Sequence, residues 1–285
     1  MKRKLGKQLA ATVAMMTMCV AMMTGCGAED GDKEICVISR EDGSGTRDAF
    51  TELLEIMVDD VDNTTVNAEI TNSTSVMMTT VAGNTEAIGY VSLGSLDDSV
   101  KAIKVDGVEA TTNNVSGGEY KVARPFNIVT GSDLSENAQD FIDFIMSKEG
   151  QEIVSEEGYI AVESEANYKT SGLNGTVTLA GSTSVAPVME KIAEKYMDLN
   201  EGMTIEIQQS GSGAGITSTI EGVCDIGMSS RDLKDNEIAE GVSATKIAMD
   251  GIAVIVNLDN PVEDLTSEQI KNIFVGNTTN WSEVQ

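Results

Sequence analysis

The sequence has 285 residues, 41% of them hydrophobic, enough for one large core or two smaller ones. It carries 46 acidic residues against 19 basic ones, a net charge of -27, and no histidine, so the usual general base, pH switch and commonest metal ligand are missing together. Such acidity argues against a nucleic-acid partner, which needs basic stripes to displace counterions, and 4% aromatic content argues against stacking platforms for bases or sugars.

In chain order, the first feature is a targeting segment. Lys2, Arg3, Lys4 and Lys7 form a positive start, and Leu9 to Met23 is an apolar stretch too short to span a bilayer with margin. It ends in Met23-Thr24-Gly25-Cys26, which resembles the lipobox of bacterial lipoproteins. That resemblance implies a signal peptide over residues 1–25 and an acylated Cys26 that anchors an extracytoplasmic protein to the cell membrane. An ordinary cleaved signal with an incidental cysteine is the alternative. Cleavage before Cys26 removes four basic residues and no acidic one, leaving 15 against 46 and a mature charge of -31. Cys19 leaves with the signal. Cys36 and Cys224 stay in short apolar runs, where buried free thiols are the plainer reading and a disulfide is possible but not implied. Two cysteines without histidine do not make a zinc site, and no cofactor is expected.

The mature chain then alternates strands and helices. Ile35–Ser39 reads as a strand, followed by a helix over Thr46–Met57 with apolar residues at Ala49, Phe50, Leu53, Leu54 and Met57. Ala87–Ser92 is a strand and Ala138–Met146 a helix. The polar stretch Glu163–Gly175 is the best linker in the chain. Beyond it come a strand at Thr176–Ala180, a helix at Val185–Tyr196 with Pro187 near its start, and a strand at Thr204–Gln208. A strand at Ile252–Asn257 and a helix at Ser267–Phe274 close the series, the helix opened by Thr266 and Gln269 at capping-box spacing. The alternation predicts an α/β architecture with mainly parallel sheets.

Three Gly/Ser-rich turns stand between a strand and a helix: Ser39 to Arg47, Ala180 to Pro187, and Gln209 to Gly215. A hydroxyl and backbone amides at a helix start make a ready anion site. Serine and threonine cap helices in most α/β proteins, so one such turn means little. Three, one of them with Arg40, point to a shared oxyanion. None is a Walker A loop, since no Gly-Lys-Ser/Thr follows. Gly211, Gly213 and Gly215 miss the dinucleotide spacing because Ile216 holds the last glycine's place, and Asp42 and Ser210 spoil the nucleophile elbow. Nucleophilic catalysis is disfavoured.

These residues resemble a known family, the phosphate-binding lipoproteins of bacterial phosphate ABC transporters, within the periplasmic-binding-protein class. Gly175–Gln285 resembles that family's N-terminal half through Ala-Gly-Ser-Thr-Ser-Val-Ala-Pro (180–187), Gly-Ser-Gly-Ala-Gly (211–215), Asp-Ile-Gly-Met-Ser-Ser-Arg (225–231) and Asp-Gly-Ile-Ala-Val-Ile-Val-Asn (250–257). Val37–Val162 resembles its C-terminal half through residues 39–47, 87–94 and Arg-Pro-Phe (124–126). The halves stand in the reverse of the family order. That order resembles a circular permutation with the old termini joined near 163–175; a fragment of two tandem copies is the rival, disfavoured because the pieces sum to one protein with little overlap.

The resemblance implies a two-lobed, hinged α/β fold of type II, with one lobe from 30–104 plus 253–285 and the other from 105–252, and with the crossing segments near 101–126 and 250–257. It implies capture of inorganic phosphate and delivery to an ABC permease, with no catalysis; a hydrolase using the same Ser-rich cleft, or a phosphate-sensing lipoprotein, are the alternatives. It also implies a ligand shell: Thr183 and Ser184 from one helix start, Ser212 from another, and Arg40, Ser44, Gly45 and Thr46 from the other lobe. Ser230 stands where part of the family has an aspartate that accepts the phosphate proton, and Asp250 is the candidate substitute. Because the protein is strongly acidic, binding rests on short-range donors: charges beyond about 8 Å are largely screened, and five or six charge-assisted bonds of about 1.5–3 kcal/mol exceed the roughly 8 kcal/mol of micromolar affinity.

Overall fold

A computed structural model describes residues 33–59 and 61–284; the expected signal segment and Cys26 lie outside the described residues. Beginning at Glu34, the chain builds one compact unit from eight principal strands and seven principal helices. In order these are β1 (Cys36–Arg40), α1 (Gly45–Leu53), β2 (Glu69–Thr71), α2 (Thr74–Ala82), β3 (Ala87–Ser92), β4 (Ala123–Thr130), α3 (Glu136–Ile145), α4 (Lys148–Glu156), β5 (Gly175–Gly181), α5 (Ala186–Leu199), β6 (Met203–Gln209), α6 (Ser212–Ile220), β7 (Ile226–Ser229), β8 (Ser243–Val256) and α7 (Ser267–Phe274).

The strands follow one another across the structure as β6-β5-β7-β4-β8-β3-β1-β2. Both outer groups are parallel: β5 with β6 and β7, and β1 with β2 and β3. The centre is antiparallel, which corrects the expectation of mainly parallel sheets. β4 runs against β7 and β8, and β8 runs against β3. The pivotal element is β8. Its first part, Ser243–Gly251, pairs with β4, and its second part, Ile252–Val256, pairs with β3, so one strand belongs to both lobes.

Two apolar cores flank this shared strand. One gathers Phe126, Phe141, Phe144, Met189, Tyr196 and Ile247. The other gathers Phe50, Tyr90, Val254, Ile270, Phe274 and Trp281. Along β8 the period-two alternation sends Ile252, Val254 and Val256 to this second core, while Ala253 and Ile255 enter a smaller cluster with Ile38, Met77 and Val81 on the opposite face. That strand end is therefore buried on both sides and reads as a continuous apolar run. Val105, Val115, Tyr120 and Val122 also belong to the second core, so the apolar packing changes hands near 122–126 rather than at the expected 104/105.

Residues 163–174 run without helix or strand, as their polar composition predicts. They are nonetheless tied down. Tyr168 packs edge-on against Phe144 (ring centroids 5.0 Å) and its hydroxyl donates to Asp140 Oδ2 at 2.7 Å. At the other boundary the segment entering β1 pairs with the segment after α7: Ile35 N donates to Thr279 O at 2.7 Å and Glu34 bridges Asn280. Cys36 and Cys224 are free thiols, half-buried rather than buried.

Candidate functional site

All three predicted turns lie at the C-terminal ends of parallel strands, where following helices present their N-termini. The structure brings them to one place and adds a fourth helix start. Ser44 caps α1, its Oγ accepting from Arg47 N at 3.4 Å. Ser182 Oγ accepts from the Ser184 and Val185 amides at 3.2 and 3.3 Å, fixing the entry to α5, which carries Pro187 in its first turn. Gly181 makes this entry possible: its φ is +141° and a Cβ there would fall 2.2 Å from Met228 O.

The Thr183 lobe and the Arg40 lobe meet through hydroxyl groups. Thr46 Oγ1 lies 2.9 Å from Ser184 Oγ. Thr74, the first residue of α2, puts its Oγ1 3.3 Å from Thr183 Oγ1 and 3.4 Å from Ser184 Oγ. Ser230 N donates to Ser212 Oγ at 3.1 Å, and the two hydroxyls are 3.3 Å apart. Gly213 N donates across the cleft to Gly43 O at 3.0 Å. Gly45 is seated so closely that a Cβ would come within 2.4 Å of Ser212 Oγ and 2.8 Å of Ser230 Oγ. Arg40, Ser44, Gly45, Thr46, Thr183, Ser184, Ser212 and Ser230 are all buried, so the cleft is closed in this structure.

Arg40 is the one charged group among the three turn cores expected to face an anion. Its Nη2 donates to Thr183 Oγ1 at 3.0 Å and its Nη1 to Thr74 Oγ1 at 3.4 Å. The fork is also engaged by its neighbour, since Nε and Nη2 each reach a Glu41 oxygen at 2.8 Å. A neutralised guanidinium among oriented hydroxyls and helix N-termini favours an anion through directional bonds rather than net charge. Behind it, the Tyr90 hydroxyl accepts from Arg40 N at 3.1 Å and lies 2.9 Å from Ser39 Oγ; burial pushes the phenol up to about 12, so it stays neutral.

Asp250 comes from the shared strand rather than from a turn. It is the hinge residue of β8, directly opposite Arg124 of β4, and its Oδ2 accepts from Arg124 Nε and Nη2 at 3.3 and 3.2 Å. Both side chains are 1% exposed. Burial pushes the Asp250 carboxyl up to about 6, against the pull of the Arg124 charge. No hydrogen bond joins Asp250 directly to the turn residues, but the Arg124 guanidinium that it holds is close enough to feel the charge of Arg40. Asp250 Oδ1 and Arg124 Nη1, with the hydroxyls of Ser92, Ser95 and Tyr159, are the buried side-chain atoms without a hydrogen-bond partner among the described residues.

The sequence reading missed Thr74 and the role of Arg124. Thr74 follows no strand–Gly/Ser-turn signature, and only Ser73, whose Oγ accepts from Val76 N at 3.2 Å, marks the helix start. Among the described residues no helix is long and apolar enough to cross a membrane.

Two α/β lobes sharing one strand, closed over a buried hydroxyl-lined cleft, define a bilobed solute-binding protein. The chain belongs to the PBP superfamily, whose domain model matches residues 28–149 and 166–285. It is 48% identical over 287 residues to Phosphate-binding protein PstS 2 of Streptococcus agalactiae serotype V, covering 98% of each chain. A crystal structure of a phosphate ABC transporter, phosphate-binding protein, from Streptococcus pneumoniae TIGR4 is similar with a TM-score of 0.71 at 46% identity, covering 88% of this chain and 100% of that one. Phosphate-binding protein PstS of Bacillus subtilis is 34% identical over a stretch of 113 residues, 39% of this chain and 38% of that protein. The S. agalactiae alignment runs end to end, so that relative shares the order of halves seen here.

Proposed function

We propose that this chain is an extracytoplasmic solute-binding lipoprotein that closes its two lobes over inorganic phosphate and delivers it to an ABC permease. The observation that carries this reading is the convergence of four helix starts, seven hydroxyls and Arg40 on one buried cleft between the lobes. Arg40, Ser44, Gly45, Thr46, Thr183, Ser184, Ser212 and Ser230 form the ligand shell, joined by Thr74. The streptococcal relatives' names point to the same ligand. Asp250, with one carboxylate oxygen left unpartnered, is the residue that separates hydrogen phosphate from fully ionised sulfate. The chain passes between lobes at 122–124 and 250–252, and the order of its halves is a circular permutation of the usual family order. Cys26 carries the lipid that holds the protein at the membrane.

Calorimetric titration of the mature protein with phosphate and sulfate side by side tests this reading. One-to-one phosphate binding with weak or absent sulfate binding is expected. Equal affinity for sulfate overturns the choice of ligand, and turnover of a phosphomonoester replaces the binder with a hydrolase.

A further inference from the structure

Just behind the ligand cleft, an ion pair joins the two lobes. Arg231 follows Ser230 at the end of β7, and Asp48 lies in the first turn of α1, two residues beyond Thr46. Arg231 Nε donates to Asp48 Oδ2 at 2.8 Å, with the Arg231 side chain 6% and the Asp48 side chain 11% exposed. The rest of the guanidinium is held within its own lobe: Nη1 and Nη2 reach the Glu237 carboxylate at 2.8 and 2.7 Å, and Nη1 also reaches Asp232 O at 2.8 Å. Asn127 Nδ2 and Ser229 Oγ donate to the Arg231 carbonyl. Arg231 is thus braced from its own side and turns its Nε donor across the cleft to Asp48.

We propose that Asp48 and Arg231 are positioning residues, an interlobe latch that is made only on closure and that sets Ser230 against Gly45 and Thr46 without touching the ligand. The inference rests on the phosphate-binding reading for its affinity readout. When the lobes part, Arg231 keeps Glu237 and Asp48 regains water, so the latch stabilises the closed state alone. A ligand held in the closed state then leaves more slowly, while its entry into the open cleft is unchanged.

Asp48→Asn is expected to raise the phosphate Kd about tenfold, since one charge-assisted hydrogen bond is lost, with the change carried by dissociation in stopped flow. Asp48→Glu keeps the charge and restores most of the loss; Asp48→Ser, smaller and neutral, repeats it with different packing. Lys234→Ala removes an exposed ammonium 3.6 Å from Asp48 Oδ2 and leaves the dissociation rate near that of the parent. A folded Asp48→Asn or Asp48→Ser chain that releases phosphate at the parental rate overturns the latch, as does an equal acceleration by Lys234→Ala. Small-angle scattering without ligand gives a separate measure: the Asp48→Asn chain is expected to be the more open. If the parent binds no phosphate, the functional reading falls, and this scattering difference still decides the latch.

Discussion

Arg124 and Asp250 face each other across the antiparallel ladder of β4 and β8, just before β8 changes partner from β4 to β3. Among the described residues each is the other's only charged hydrogen-bond partner, and both are buried. With its carboxyl raised from 3.8 to about 6 by burial, Asp250 binds its proton more tightly in the folded than in the unfolded chain. The folded state then holds more protons between these values, so the Asp250 contribution favours folding below about 4 and is lost as pH rises to about 6. Urea unfolding of the parent and of Asp250→Asn across pH 4 to 7 checks this: the parent is expected to lose stability relative to the variant over that window. A constant difference sinks the assignment.

Arg40→Ala is expected to weaken phosphate binding by about 2–4 kcal/mol, because it removes the charged donor of the cleft. Arg47→Ala has a smaller effect. Arg47 does not enter the cleft; its Nε donates to Asp62 Oδ2 at 2.7 Å and its Nη1 supports the Arg40 carbonyl at 2.9 Å. Titration calorimetry ranks the two, and the reverse order rejects this arrangement.

Gly45→Ala probes closure itself. The added methyl would stand 2.4 Å from Ser212 Oγ and 2.8 Å from Ser230 Oγ on the facing lobe. Each lobe alone accommodates it, so the fold survives by circular dichroism while phosphate affinity falls by about 1–3 kcal/mol from overpacking. Parental affinity in this variant would mean that the ligand-bound cleft is wider than the one described.

Selectivity separates two other residues. Asp250→Asn is expected to narrow the preference for phosphate over sulfate. Ser230→Ala instead lowers affinity for both anions, by about 1 kcal/mol, because a hydroxyl donates or accepts with equal ease. Competition titrations with the two anions decide. An unchanged ratio in Asp250→Asn removes it from recognition and leaves it as the hinge partner of Arg124.

Much of this was legible in the sequence where one signal dominated. Ala87–Ser92 and Ser267–Phe274 fall at their predicted bounds, the helix with both hydrogen bonds of its capping box. Periodicity alone overran α1, predicted to Met57 but ended at Leu53, because Glu55 takes a φ of +53° and Met57–Val58 turns into a short ladder with Val61–Asp62. The strand predicted at Ile252–Asn257 begins nine residues earlier, at Ser243, since Ser243–Lys246 are exposed with no alternation and Asp250-Gly251 interrupts the apolar pattern ahead of Ile252. β4 was hidden by Pro125, a residue that cannot donate to a ladder and that usually marks an edge or a turn. α2 and α6 are rich in threonine, valine and glycine, so propensity argues against helices that tertiary packing enforces. Thr74 was lost to the site with its helix. The turns were legible because their chemistry is local; the pairing of Asp250 with Arg124 was not, because the two lie 126 positions apart in sequence.

Strand β8, common to both lobes, turns closure into a rotation about its own middle. Groups on that axis have the shortest lever arm: Arg124 and Asp250 pair across the ladder beside the point where β8 changes partner. Groups far from the axis, at the ends of the lever arms, sweep the full arc. For this protein the grip on a ligand is therefore tuned away from the shared strand, where the lobes face each other through Asp48, Arg231 and Gly45.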